Sequence, residues 1–236
     1  MNSCESAYSS VLKRIAAASR AAGRAQPARL LAVGKTKPPT AIRQLAALGQ
    51  RAFGENYVQE ATLKQSALRD LDLEWHAIGP LQSNKCRDVA QHFDWLQTLD
   101  RAKLVDLLAR HRPPDRAPLN VLIQVNIDDE ESKSGCVPEA VPRLAALIGM
   151  HAALRLRGLM AIPAPAADLA RRRDAFARMR VLFNELASGR TGVDTLSMGM
   201  SDDFELAIAE GATMVRIGSA LFGARSRDST SGSRNP

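Results

Sequence analysis

The sequence predicts an α/β fold, specifically a (β/α)8 TIM-type barrel with an extra N-terminal helix. Short apolar runs alternate with amphipathic helical segments eight times between Leu30 and Ala220. Strands separated by helices pair in parallel through right-handed crossovers, and eight such units match this barrel. The 236 residues are enough for one large domain. A doubly wound open sheet is the alternative, because periodicity alone does not close a barrel.

The predicted strands are apolar runs bounded by Gly, Pro, Asn or other loop-forming residues. They occupy residues 30–35, 51–54, 74–79, 95–99, 120–126, 156–162, 195–199 and 214–218. Apolar residues at helical spacing lie between them and predict helices. These include residues 40–48, 57–68, 101–111, 139–150, 168–187 and 202–209, and a further helix at 5–22 precedes the first strand.

No composition shift or linker divides the chain. We therefore expect a single barrel domain over residues 1–224. The remaining residues, 225–236, read "RSRDSTSGSRNP" and are expected to form a disordered polar tail.

The net charge of +7 raises the question of nucleic-acid binding. The arginines are spread along helices, as in residues 170–180, and aromatic residues make up only 4% of the chain. We interpret these charges as solvated helix faces and expect no nucleic-acid partner. The sequence has no apolar run long enough for a membrane span and begins without a secretory signal, so a cytoplasmic protein is expected.

The three cysteines, Cys4, Cys86 and Cys136, have no spacing typical of a metal site. Their odd number and scattered positions fit a reducing compartment. We expect no metal.

Lys35 stands out because it ends the first predicted strand. It shares strand parity with Leu31 and Val33, so a barrel-facing position would partly remove its amine from water. Such an amine can attack a carbonyl and form a Schiff base. The alternative is an exposed lysine reaching to water at a strand end. Lys37 has the same parity but lies beyond the strand, and is the weaker candidate.

The turns after the seventh and eighth predicted strands suggest an anion site. Arg216 shares a face of the eighth strand with Gly218, and a buried guanidinium requires an acceptor. Gly218 and Ser219 form a small-residue turn where backbone N–H groups can approach a phosphate. Ser201 and the backbone at Met200 complete the predicted phosphate site, since barrels commonly bind phosphate at these two loops.

Four other polar residues have two interpretations each. His76 is either a hydrogen-bonded core histidine or a ligand contact. Asn56 either caps the helix that follows it or faces the ligand. Asp202 and Asp203 would oppose a phosphate, and we expect them to compensate the dipole of the following helix.

A carbonyl-reactive lysine, a phosphate site and an arginine at one barrel mouth suggest a single ligand. Pyridoxal 5′-phosphate (PLP) carries an aldehyde, a phosphate and a ring nitrogen in a similar arrangement. A Schiff-base aldolase without cofactor, or a barrel acting on a phosphorylated metabolite, remains the alternative from spacing alone.

Six blocks of the sequence resemble the pyridoxal phosphate homeostasis proteins, which are single-domain relatives of the alanine racemase N-terminal barrel. The blocks are "LLAVGKTKP", "FGENYVQE", "EWHAIGPLQSNK", "QVNIDDEESKSG", "GLMAIP" and "LSMGMSDDFELAIAEGATMVRIGSALFGAR". They run in order from about residue 30 to residue 225. The resemblance implies a (β/α)8 barrel that holds PLP as an internal aldimine and serves vitamin B6 homeostasis.

The resemblance also implies roles for individual residues. Lys35 corresponds to the Schiff-base lysine, Arg216 to the partner of the pyridine nitrogen, and Asn56 and His76 to positions near the cofactor. The implied phosphate clamp consists of Gly218, Ser219, Ser201 and the Met200 backbone. This chain has Gly34 where the family usually has serine, and the added backbone freedom is expected to loosen the position of the lysine.

We expect a PLP carrier without robust catalysis. An arginine at the pyridine nitrogen disfavours its protonation and weakens the cofactor as an electron sink, which argues against transamination, although related racemases share this arginine. Related racemases add a C-terminal domain with a catalytic tyrosine, whereas the tyrosines here are Tyr8 and Tyr57. A weak or narrow amino-acid racemase is the alternative. The expected partners are PLP and PLP-dependent apo-enzymes, with the protein a monomer or weak dimer.

Overall fold

Eight parallel strands close into a barrel in chain order, with β8 pairing back to β1. This computed structural model describes residues 3–130, 134–163 and 168–223. The strands are β1 (Arg29–Val33), β2 (Ala52–Glu55), β3 (Glu74–Ala77), β4 (Trp95–Leu99), β5 (Leu119–Val125), β6 (Leu154–Ala161), β7 (Thr195–Ser197) and β8 (Met214–Ile217). The (β/α)8 expectation is confirmed.

Helices surround the barrel, and α1 (Ser3–Ala21) precedes the first strand as predicted. The others are α2 (Pro39–Ala47), α3 (Val58–Ala67), α4 (Cys86–His92), α5 (Ala102–His111), α6 (Val141–Gly149), α7 (Leu169–Ala187), α8 (Phe204–Ala209) and α9 (Ser219–Phe222). Short 3-10 turns at Ser83–Lys85 and Pro138–Ala140 lead into α4 and α6.

Local chemistry explains several of these helix positions. Pro39 is the first residue of α2, where its fixed φ suits a helix and its missing N–H costs nothing. Asp168 caps α7 by accepting a hydrogen bond from the N–H of Ala170 at 2.8 Å. On α5, Leu104 and Leu108 are fully buried one turn apart, so this face packs against the sheet.

The hydrophobic core has two layers. The larger layer lies between the sheet and the helices, and includes Phe53, Leu96 and Phe176. Inside the barrel, the apolar residues form two small clusters. One consists of Leu31, Ala52, Ile78 and Met214 with Val33 packed against it, and the other of Trp95, Leu122 and Met160. Polar side chains occupy much of the remaining barrel interior.

The structure corrects the boundaries of some elements. β1 ends at Val33, two residues before the predicted end, because Lys35 and Thr36 form a turn. Thr36 has a φ of 64°, a left-handed conformation that no strand continues. α4 was not among the helices predicted. The predicted tail at 225–236 lies outside the described residues. No helix in the described ranges is both long and apolar enough to cross a bilayer.

Candidate cofactor site at the barrel mouth

A cavity of about 310 Å³ opens at the carboxyl ends of the strands. It brings together residues of β1 and β8 and of the loops after β1, β2, β3, β6, β7 and β8. The lining residues are Val33, Lys35, Thr36, Lys37, Asn56, Ile78, Ile162, Met200, Ser201, Asp202, Arg216, Gly218, Ser219 and Gly223. Seven of the eight predicted cofactor residues are in this set.

Gly34, the residue before Lys35, is held by two hydrogen bonds of its backbone groups. The N–H of Gly34 donates to the Gly54 carbonyl at 3.0 Å, and the Gly34 carbonyl accepts from Lys64 Nζ at 2.8 Å. A Cβ added at Gly34 would lie 2.6 Å from Glu55 Oε1. The expectation that Gly34 loosens Lys35 is therefore not what the structure shows, since glycine here permits close packing.

A buried ion pair lies behind this turn. Lys64 Nζ is 2.9 Å from both carboxylate oxygens of Glu55 and 2.9 Å from Glu60. Burial raises the pKa of Glu55 from 4.5 to about 7, against the hydrogen bond and charge of Lys64, which lower it, and with a smaller contribution from Glu60. Glu60 also accepts from the N–H of Thr36 at 2.9 Å. The turn that carries Lys35 is thus tied to α3.

Arg216 projects from β8 into the barrel beneath the cavity and is only 4% exposed. One Nη donates to Ser197 Oγ at 2.8 Å and the other to the Ala161 carbonyl at 2.9 Å. Burial lowers the pKa of Arg216 to about 10, and the charge of Asp203 acts in the opposite direction. The guanidinium therefore stays cationic at neutral pH, in a fixed orientation.

His76 does not line the cavity. Its ring is fully buried, stacks on Trp95 with centroids 5.0 Å apart, and contacts Gln97 and Glu74. Burial lowers the pKa of His76, and the charge of Glu74 only partly offsets this effect. The structure realises the interpretation of His76 as a hydrogen-bonded core residue.

The predicted phosphate residues gather after β7 and β8, and Gly218 lies beside the end of β1, where a Cβ added to it would be 3.2 Å from the Val33 carbonyl oxygen. Gly218 and Ser219 begin α9, where the first N–H groups have no intrahelical acceptor. Ser201 lines the same cavity, after a turn in which Gly199 has a φ of 90°. The N–H of Met200, expected to bind phosphate, instead donates to Asp203 Oδ1 at 2.7 Å.

Asn56 and Lys37 complete the polar lining. Asn56 does not cap α3, because Tyr57 occupies the cap position and no side chain caps the helix. Asn56 faces the cavity instead. Lys37 Nζ donates to the Phe222 carbonyl at 3.2 Å, which draws this amine toward α9. In the described part of the chain, no group of His, Cys, Asp or Glu residues is arranged to hold a metal ion.

Sequence comparison places this barrel in a family. The model of the family "Alanine racemase, N-terminal domain" matches residues 9–226. The pyridoxal phosphate homeostasis protein of Pseudomonas aeruginosa is 57% identical over 217 residues, covering 91% of this chain and 93% of that protein. The chain belongs to the pyridoxal phosphate homeostasis protein family. The family predicted from the six sequence blocks is confirmed.

Solved structures agree with this assignment. An unknown protein from Bifidobacterium adolescentis is 39% identical, with a TM-score of 0.85, covering 93% of this chain and 94% of that one. PipY of Synechococcus elongatus, solved with PLP bound, is 38% identical with a TM-score of 0.74, covering 89% and 99%. Both cover nearly the whole barrel of this homeostasis-family chain.

The cavity of this family member also contains residues that the sequence analysis missed. Thr36 and Ile162 were not identified because neither residue type signals a ligand contact. Gln97 and Ser197 lie below the cavity, where Ser197 is hydrogen-bonded to Arg216 and to Gln97, and Gln97 to His76. Their signal was available, since a glutamine within the apolar strand "WLQTL" is a buried polar group that needs partners.

Proposed function

We propose that this chain binds PLP through a Schiff base to Lys35 and serves vitamin B6 homeostasis as a carrier without robust catalysis. The observation that carries the proposal is the shared cavity. It joins Lys35, Arg216 and the Gly218–Ser219 turn in a member of a family whose relative PipY was solved with PLP bound.

The cavity suits the size and chemistry of PLP. Its volume of about 310 Å³ lies at the lower end of the range for small-molecule sites, roughly 300–1,000 Å³. The amine of Lys35 is available for an aldehyde. Ser201, Ser219 and the N–H groups at the start of α9 offer hydrogen bonds to a phosphate in the same cavity.

Arg216 argues against transamination chemistry at this site. A guanidinium has only donors, so it can donate to an unprotonated ring nitrogen but cannot stabilise a protonated one. When bound, PLP supplies carbanion stabilisation, which protonation of the ring nitrogen strengthens. The buried and fixed Arg216 cation opposes that protonation.

The experiment compares two lysines that line the same cavity. Purified protein mixed with PLP should show the visible absorbance of a Schiff base, and borohydride followed by digestion should place the pyridoxyl group on Lys35. The Lys35→Ala variant should lose this absorbance, whereas Lys37→Ala should keep most of it. A pyridoxyl group on another residue, or on none, would overturn the proposal.

The alternative function is a weak PLP-dependent racemase. Lys37 and Asp202 are titratable groups at the same mouth, and the matching family model is that of an alanine racemase domain. Incubating the PLP-loaded protein with single-enantiomer alanine and other amino acids distinguishes the two functions. Sustained loss of optical activity would reject the carrier.

We also propose that PLP-dependent apo-enzymes receive the cofactor in the cytoplasm. The free thiols of Cys4, Cys86 and Cys136 fit a reducing compartment. Mixing the PLP-loaded protein with an apo-enzyme, and comparing its reactivation with that by equimolar free PLP, tests direct transfer. Equal rates would indicate release into solution instead.

A further inference from the structure

A line of five hydrogen-bonded side chains runs through the barrel interior from the cavity toward its amino-terminal end. We call Arg216, Ser197, Gln97, His76 and Glu74 the interior chain. Arg216 to Ser197 spans 2.8 Å, Ser197 to Gln97 2.7 Å, and Gln97 to His76 2.9 Å, and His76 then contacts Glu74. The first four are at most 4% exposed.

The hydrogen bonds of the interior chain all run in one direction from its first member. A guanidinium has no acceptor, so Ser197 Oγ must accept from Arg216. The Ser197 hydroxyl is then free to donate to Gln97 Oε1. The amide nitrogen of Gln97 therefore faces His76 and donates to Nδ1.

Glu74, the last member of the interior chain, requires the same direction of hydrogen bonding. Because Nδ1 of His76 accepts, the ring proton is on Nε2 and is donated to Glu74. Hydrogen bonds from His76 and from Arg29, 2.8 Å away, lower the pKa of Glu74 despite its burial, so Glu74 is an anion there. A cation at one end and an anion at the other thus select one arrangement of protons.

We propose that His76, Gln97 and Ser197 are positioning residues, which hold the Arg216 guanidinium in its orientation toward the cofactor's ring. The expected effect on PLP binding rests on the proposed function, whereas the arrangement of hydrogen bonds in the interior chain does not depend on it. The interior chain orients and does not conduct protons, since the amide of Gln97 is a poor proton relay. His76 therefore influences the cofactor site without touching the cavity.

The arrangement of protons can be tested without PLP by ¹⁵N NMR of the free protein. His76 should be neutral, with Nδ1 bare and Nε2 protonated. The guanidinium N–H groups of Arg216 should show slow exchange and slow rotation. His76→Phe should accelerate both, although residue 76 does not contact Arg216. A protonated Nδ1 in His76, or an Arg216 signal unchanged in this variant, would overturn the proposal.

The effect on PLP is tested with a matched pair on β7. Ser197→Ala removes the hydroxyl that links Arg216 to Gln97, whereas Thr195→Val removes a hydroxyl of the same strand that donates only to Asp194. We expect Ser197→Ala to raise the PLP dissociation constant roughly tenfold, and Thr195→Val to leave it within about twofold. Equal effects of the two variants would contradict positioning.

A double-mutant cycle separates positioning from general damage to the barrel. Ser197→Ala and His76→Phe both break the interior chain. The double variant should therefore bind PLP with about the same affinity as the single variant that binds it less tightly. Independent damage would give multiplied effects. Urea unfolding of each variant shows whether affinity merely follows stability. If the wild-type protein forms no Schiff base with PLP, the proposed function fails, while the NMR measurements still decide the arrangement of the interior chain.

Discussion

Lys64 and Glu55 form a buried ion pair directly behind Gly34, with the ammonium 2.9 Å from both carboxylate oxygens. Their side chains are 5% and 0% exposed. The same ammonium donates to the Gly34 carbonyl, one residue before Lys35. The ion pair therefore links α3, which carries Lys64, to the turn that carries Lys35, the candidate Schiff-base residue.

Gly34→Ala should destabilise the protein by about 1–3 kcal/mol, because the new Cβ would lie 2.6 Å from Glu55 Oε1 and displace the ion pair. Urea unfolding gives the free energy. Gly149→Ala is the control: this residue ends α6 with nothing within 4 Å of an added Cβ, so alanine should be neutral or stabilising by up to about 1 kcal/mol. Equal results for both variants would show that Gly34 is not closely packed.

Lys64→Met should cost about 3–5 kcal/mol at pH 8, since it leaves the Glu55 carboxylate buried without its partner. The double variant Lys64→Met, Glu55→Gln should recover part of this loss, because the uncompensated charge is gone. Arg43→Met breaks an exposed, solvent-screened pair with Asp70 and should lower the free energy of unfolding far less. A Lys64→Met loss as small as that of Arg43→Met would contradict the buried pair.

The free energy of unfolding should fall as pH rises from about 4.5 to about 7. Burial raises the pKa of Glu55 from 4.5 to about 7 in the folded state, so the folded protein binds the proton more tightly than the unfolded chain in this window. The contribution is present in full below 4.5 and is lost as pH passes the folded value; it amounts to at most about 3 kcal/mol. Denaturant unfolding at several pH values should show this slope, and Glu55→Gln should reduce it. An unchanged slope in that variant would assign it to other groups.

Asp202→Asn should tighten phosphate binding at the mouth by about twofold to fivefold. The Asp202 carboxylate lines the cavity on the side of Ser201 and repels an anion there. Competition of inorganic phosphate against PLP measures the effect, which should shrink at high salt. Glu205→Gln removes a charge of the same sign that pairs with Arg14 outside the cavity, and should change the affinity less.

The sequence was sufficient to predict the fold because the signal is repeated. Eight apolar runs separated by helical patterns leave few topologies, and all eight predicted strands overlap the observed ones. The first and last residues of the strands and helices were harder to predict than the elements themselves. Thr36 ends β1 early through a left-handed φ, which residue type does not reveal in a threonine. α4 is short and follows a 3-10 turn, so its helical period is weak.

The candidate site was predictable where a residue's position on a strand decided its surroundings. Lys35 and Arg216 reach one cavity because Lys35 follows β1 and Arg216 lies on β8, the neighbouring strand of a parallel barrel. The partners of each residue were not predictable, because they come from distant segments. His76 is paired with Gln97, and Met200 with Asp203, by packing that strand parity does not specify.

The interior chain also constrains how this barrel can diverge. Replacing Gln97 alone by an apolar residue would strand the hydroxyl of Ser197 and the ring nitrogen of His76 in a dry interior, which is costlier than losing one hydrogen bond. Homologues should therefore vary these positions together, keeping the whole set or exchanging it for an apolar filling. Joint substitution at residues 76, 97 and 197 would indicate lineages in which other residues hold the arginine in position.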